Sequence, residues 1–160
     1  MKSLVIATTL TLVITTVSTS AGADSKFYPA TLCNAIDGAS PSYWTTGAAF
    51  NASTTVDRYF VCPVVRDTVR TDGSSWSSLV VTALNLHPTI WMTCFAATSY
   101  PDDYEFGHVD ANQLHPSSDW TDLSFPTISV PSTGYMVLNC RVPRFTGPYP
   151  SGLASYRIDE

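Results

Sequence analysis

Tyr135-Met136-Val137-Leu138-Asn139-Cys140-Arg141-Val142 decides the fold class. Met136, Leu138, Cys140 and Val142 recur at every second position, with Asn139 and Arg141 between them. A period of two describes a strand with one buried and one wet face, the habit of antiparallel sheets; a helix would need a period near 3.6. Upstream, Ile90, Met92 and Cys94 repeat the pattern. Downstream, Ala154, Tyr156 and Ile158 alternate with Ser155, Arg157 and Asp159.

Working outward, β-branched and aromatic residues dominate short runs broken by Pro, Gly, Ser and Asp clusters. The runs are Lys26–Cys33, Ser42–Asn51, Val56–Arg66, Ser78–Leu86, Thr89–Thr98, Glu105–Val109, Asp122–Val130, Tyr135–Val142 and Leu153–Asp159. Turn chemistry separates them at Thr71-Asp72-Gly73-Ser74, Pro131-Ser132-Thr133-Gly134 and Gly147-Pro148-Tyr149-Pro150-Ser151-Gly152. Helical periodicity is nearly absent. Eight or nine short strands cannot lie flat in one layer, so the expectation is all-β: a two-sheet antiparallel β-sandwich of jelly-roll or immunoglobulin-like topology. No internal repeat or low-complexity linker is visible.

Four cysteines, Cys33, Cys62, Cys94 and Cys140, permit three disulfide pairings. Cys94 and Cys140 both belong to inward-facing alternations, which favours their union and leaves Cys33 for Cys62. The chain-entropy model assigns about 3.6 kcal/mol to the shorter loop and about 4 kcal/mol to the longer. Zinc is disfavoured, because no two of the four cysteines stand close enough in sequence to make the usual chelating pair.

The N-terminus explains why cysteines pair. Met1–Ala23 carries Lys2, an apolar stretch from Leu4 to Val17, and the small residues Ala21, Gly22 and Ala23, the three parts of a secretory signal peptide. Cleavage leaves residues 24–160, a length that suits one domain, with no membrane span after cleavage. Without Lys2, seven cationic side chains face thirteen acidic ones, a formal charge of −6. That surface excludes nucleic acid as a partner and suits a secreted or periplasmic protein.

A resemblance rests on ordered landmarks: Tyr28-Pro29-Ala30-Thr31-Leu32-Cys33, Cys62-Pro63-Val64-Val65-Arg66-Asp67, Thr93-Cys94, Tyr135 through Pro143, and Ser155-Tyr156-Arg157-Ile158-Asp159-Glu160. Together they resemble small secreted bacterial proteins of undefined function with a disulfide-stapled β-sandwich. The resemblance implies an exported bacterial protein and no activity, and it brings no catalytic residues.

Candidate sites are fragments. Asp102, Asp103, Glu105 and Asp110 crowd one segment and offer the hard oxygens that calcium takes. Their spacing matches no known calcium loop, so solvated loop acids are the ordinary reading, and no cofactor other than calcium is suggested. Aromatic residues give a second candidate. Sugar-binding sandwiches stack pyranose rings on Trp and Tyr, and sandwiches also bury such rings between their sheets. Burial suits Trp44 and Trp91, whereas Tyr100, Tyr104 and Trp120 stand among polar residues and are the expected contacts for a glycan or protein ligand. For an enzyme the chain offers only His108 with Asp110, two apart on one strand, and Ser117 and Ser118 after His115. No nucleophile elbow, zinc-protease helix or phosphate loop is present. The reading is a noncatalytic ligand-binding or structural component outside the cell; the alternative is a carbohydrate-active or other hydrolytic enzyme on the same scaffold. Asn51-Ala52-Ser53 is a glycosylation sequon that a bacterial host leaves unused.

Overall fold

A computed structural model describes residues 25–64, 75–76, 78–99, 106–126, 128–129 and 135–159. Among them are thirteen strands and no α-helix: β1 (Ser25–Pro29), β2 (Asn34–Ala35), β3 (Ser42–Tyr43), β4 (Ala49–Phe50), β5 (Arg58–Val64), β6 (Ser75–Trp76), β7 (Ser78–Leu84), β8 (Met92–Ser99), β9 (Phe106–Leu114), β10 (Thr121–Phe125), β11 (Ile128–Ser129), β12 (Tyr135–Val142) and β13 (Gly152–Asp159). The first sheet runs β10-β7-β13-β4-β3, with β1 also on β13; the second runs β2-β5-β12-β8-β9. β6 and β11 form a separate two-stranded ladder. Every pairing is antiparallel, so the expected two-sheet sandwich is the fold.

The alternation in β12 does what its period demands. Met136, Leu138, Cys140 and Val142 are buried, and they meet Val81, Leu123, Leu153, Tyr156 and Ile158 of the first sheet in one core. Each fully buried side chain of that size stabilises by about 1.5–3 kcal/mol. Tyr156 crosses the core and donates its hydroxyl hydrogen bond to the Pro63 carbonyl of β5, tying the sheets together. Burial pushes its phenol well above the ordinary range. Cys33–Cys62 and Cys94–Cys140 are the disulfides, all four sulfur-bearing residues buried. Cys94 and Cys140 are direct cross-strand partners, so that bridge staples neighbours within one sheet.

Three local expectations fail for physical reasons. Ile90 precedes β8 rather than lying in it, and Met92 begins the alternation. The register of β13 shifts between Leu153 and Ser155, so Leu153 takes the inward place expected of Ala154, which is half-buried. Ser42–Asn51 is not one strand. Trp44 and Gly47 close a turn, with the Gly47 N–H donating to the Trp44 carbonyl at 3.0 Å and Gly47 at φ +88°, and β3 folds back on β4.

The connections from the first sheet to the second reveal a short repeat that residue identity conceals. Ala49-Phe50-Asn51-Ala52-Ser53-Thr54-Thr55-Val56 leads from β4 to β5, and Ala83-Leu84-Asn85-Leu86-His87-Pro88-Thr89-Ile90 leads from β7 to β8. Asn51 Nδ2 donates to the Val56 and Val142 carbonyls, both at 3.0 Å, and its Oδ1 accepts the Ser53 N–H. Asn85 Nδ2 donates to the Ile90 and Leu114 carbonyls at 3.0 and 2.9 Å, and its Oδ1 accepts the His87 N–H. Ser53 Oγ accepts the N–H groups of Thr55 and Val56; His87 Nδ1 accepts those of Thr89 and Ile90. One side-chain amide in each corner satisfies backbone groups that the leaving strand cannot reach. Ser151 joins the corners, its carbonyl accepting the Asn51 N–H and its hydroxyl accepting the Leu86 N–H while donating to Asn85 Oδ1. All of Asn51, Asn85, His87 and Ser151 are buried, a polar layer capping one end of the core.

Candidate functional site

The residue after Ser151 builds the most distinctive surface. Gly152 starts β13 and is paired with Phe50 of β4 on one side and Leu84 of β7 on the other. A Cβ there would stand 2.4 Å from the Ala49 carbonyl and 2.5 Å from Phe50 Cδ1, so only glycine lets the Phe50 ring lie across the strand. Phe50 lies outside the main core cluster, on the outer side of the first sheet, while its neighbour Ala49 points inward. It is nevertheless fully buried.

Two indoles help cover it. Trp44 stacks on Phe50 at 4.3 Å between centroids and a 35° interplanar angle, and Trp120 meets the ring edge at 6.1 Å and 65°. Trp44 and Trp120 stay 46% and 41% exposed. Burying Phe50 while leaving both tryptophans half in solvent makes an aromatic corner with a fixed base. Its walls cannot be coplanar, because those two angles leave the indole planes at least 30° apart.

Local structure holds each wall. The turn at Gly47 positions Trp44, whose N–H donates to the Ala48 carbonyl at 3.0 Å. Trp120 enters β10 from a loop fastened to the second asparagine corner, with the Ser117 N–H donating to the Asn85 carbonyl at 2.8 Å. Within that loop Ser117 Oγ accepts the Asp119 N–H, and Thr121 Oγ1 donates to the Asp119 carbonyl. Asp119 is thus a loop residue, as its position suggests, and Asp122 accepts the Thr82 hydroxyl at 2.7 Å.

The same outer face continues down β13. Ser155 pairs with Thr82, which pairs with Asp122; Arg157 pairs with Phe27 and Val80. Phe27 is 68% exposed, and the Arg157 guanidinium lies 5.6 Å from its ring centroid. Arg157 also approaches Asp159 at 3.5 Å. Hydrogen bonds from Ser25 and then Ser78 hold the Asp159 carboxyl below the usual carboxylate range.

Trp120 therefore stands where a ligand can reach it. Trp44, expected in the core, is its partner in the exposed corner, because a two-residue strand and a tight turn leave it at the sheet margin. Trp91 is also outside the core, 42% exposed and stacked on His115 at 3.8 Å, because it precedes the first inward residue of β8. Tyr100, Tyr104, Asp102, Asp103 and Glu105 lie outside the described residues. Asp110 and His108 are positions of β9, paired with Ala96 and Thr98. Among the described residues no three His, Cys, Asp or Glu side chains gather as metal ligands.

Catalytic geometry gains nothing from the polar end of the core. His87 uses Nδ1 to accept two backbone N–H groups, so its proton sits on Nε2, which has no partner among the described residues. Burial first, and Arg144 second, hold its pKa below the ordinary value against the opposing pull of Asp57. Asp57 itself accepts the Arg144 N–H and lies 3.8 Å from Arg141. The sequon Asn51 is 0% exposed with Nδ2 committed to two carbonyls, so a glycan on it is incompatible with the folded corner.

Fold and surface together define a disulfide-stapled β-sandwich that displays an aromatic corner on one outer face. No protein-family model and no curated protein sequence matches the chain. The two disulfides suggest an oxidising, extracytoplasmic setting, and among the described residues no helix is long and apolar enough to cross a membrane.

Proposed function

We propose that the protein is a noncatalytic ligand-binding domain working outside the cytoplasm, and that the corner of Trp44, Phe50 and Trp120 takes a sugar ring. One observation carries the reading: two half-exposed indoles held around a fully buried phenylalanine. What sets these indoles apart from the other exposed rings is that both pack on one buried phenylalanine and so form a joined aromatic surface that a ligand can cover. A pyranose offers what the corner lacks, flat C–H faces for the indoles and a rim of hydroxyls for Thr82, Asp122 and Ser155 nearby. The leader at Met1–Ala23 belongs to the same reading, as the route by which a bacterial cell exports the domain.

Titration of neutral oligosaccharides into the purified domain, followed by tryptophan emission, tests it. Binding should blue-shift and saturate the emission, and Trp44→Ala or Trp120→Ala should weaken it at least about tenfold, roughly 1.4 kcal/mol. Unchanged affinity in both variants, or no saccharide response, would sink the proposal.

A further inference from the structure

The outer face of the first sheet carries more than the corner, and we infer that the ligand is a neutral, linear, extended glycan chain lying along β13 from Trp44 and Trp120 to Phe27. The inference rests on the reading of the corner as a sugar site and adds the class, length and direction of the ligand.

Three successive rows support it. At the corner end, Phe50, Gly152 and Leu84 stand side by side, with Trp120 next to the Thr121 that pairs with Ala83. The middle row is Pro29, Ser155, Thr82 and Asp122, polar but for the proline at its edge. The far row is Phe27, Arg157, Val80 and Ser124, where an exposed aromatic ring faces a guanidinium. Exposed rings at the two ends with hydroxyl and carboxylate groups between them suit an extended sugar chain, whose ring faces stack and whose hydroxyl rim forms hydrogen bonds.

Length follows from strand geometry. Five residue steps from Gly152 to Arg157, shortened by the bulge, cover about 15 Å, which about three or four pyranose rings span. A ribbon-like β-1,4-linked chain stays straight over that reach; a coiled α-linked chain leaves the face before the far row. Gly152 sets the start of the track, because its missing side chain lets the Phe50 ring lie over the strand as the floor between the two indoles.

Charge selects among glycans. The chain carries a formal charge of −5, and the middle row offers the Asp122 carboxylate, so a polyuronate would meet repulsion where a neutral chain meets hydrogen-bond partners. Arg157 does not reverse this, being 3.5 Å from Asp159. The non-coplanar indoles add that the site grips one chain rather than the flat face of a crystalline lattice.

Calorimetric titration of the full domain with cello-, xylo- and manno-oligosaccharides of two to six rings tests the path, with oligogalacturonates as the acidic series. In at least one neutral series affinity should rise about tenfold or more between two and four rings and then level off. Phe27→Ala, at a highly exposed position, should erase that gain and leave two-ring binding unchanged. Oligogalacturonates should bind at least about tenfold more weakly than neutral chains of equal length. Equal affinity for two and six rings, an inert Phe27→Ala, or acidic chains binding as well as neutral ones would overturn the inference while the corner still bound sugar. Failure of every saccharide at every length would instead overturn the sugar reading itself.

Discussion

Replacing Asn85 by alanine should remove about 3–5 kcal/mol of folding stability, and replacing Asn51 should cost the same within about 1 kcal/mol. The magnitude comes from the corners. Asn85 donates twice, to the Ile90 and Leu114 carbonyls, and accepts from the His87 N–H and Ser151 Oγ. Asn51 donates twice and accepts once. Each such bond contributes about 1 kcal/mol net, and a buried carbonyl left without a donor costs about 1–3 kcal/mol more. Both side chains are fully buried, so water reaches the abandoned groups only if the sandwich end opens. Domains of this size are stable by about 5–15 kcal/mol, so each variant should remain folded but with a clearly lower urea midpoint. Urea unfolding at pH 7.5, read by tryptophan emission and by far-ultraviolet circular dichroism together, measures both. A loss under about 1 kcal/mol in either variant, or a large loss in one and none in the other, would refute the claim that the two corners are equivalent supports.

Other expectations follow from the same end of the molecule. The depressed pKa of His87 means that the unfolded chain takes up a proton the folded chain refuses, so stability should be full above about pH 6.5 and fall as the medium is acidified toward pH 5.5. His87→Ser keeps an acceptor for the Thr89 and Ile90 N–H groups, as Ser53 does in the other corner, and should flatten that slope; an unaltered slope would contradict the assignment. Gly152→Ala must displace the Ala49 carbonyl or the Phe50 ring, costing about 1–3 kcal/mol and shifting tryptophan emission; a silent variant would deny the close approach. Expressed through a glycosylating secretory pathway, the folded protein should keep Asn51 unmodified, and a glycan on native protein detected by mass spectrometry would contradict the buried amide.

Fold class was legible because period-two alternation is a direct image of a two-faced strand, and Met136 to Val142 shows it without interruption. The pairing of Cys94 with Cys140 was legible for the same reason, since both sulfurs fell on inward phases. What alternation cannot show is where a strand stops or slips. The bulge after Leu153 inverted the expected face of Ala154, and the short strands β3 and β4 carry too few residues for any phase to register.

The site was half legible. The half-exposure of Trp120 was legible from its polar neighbours, whereas Trp44 looked like core because a tryptophan in a strand-like run usually is. Phe50 and Gly152 gave no warning, for their roles arise from lying side by side on paired strands 102 residues apart in sequence. The spaced pair Ala49-Phe50-Asn51 and Ala83-Leu84-Asn85 was the available signal, since an asparagine after an apolar strand end often turns back to bind its own backbone. It needed the hydrogen bonds to be seen as a repeat.

Central to the account is that sugar contacts Trp44 and Trp120. Indole N–H resonances in a proton–nitrogen correlation spectrum report it residue by residue, with Trp91, equally exposed but packed on His115 rather than on Phe50, as the internal control. During titration with a neutral four-ring β-1,4-linked oligosaccharide, the Trp44 and Trp120 signals should move and saturate together while Trp91 stays still. Motion of Trp91 alone, or no motion in any indole at millimolar ligand, would contradict it.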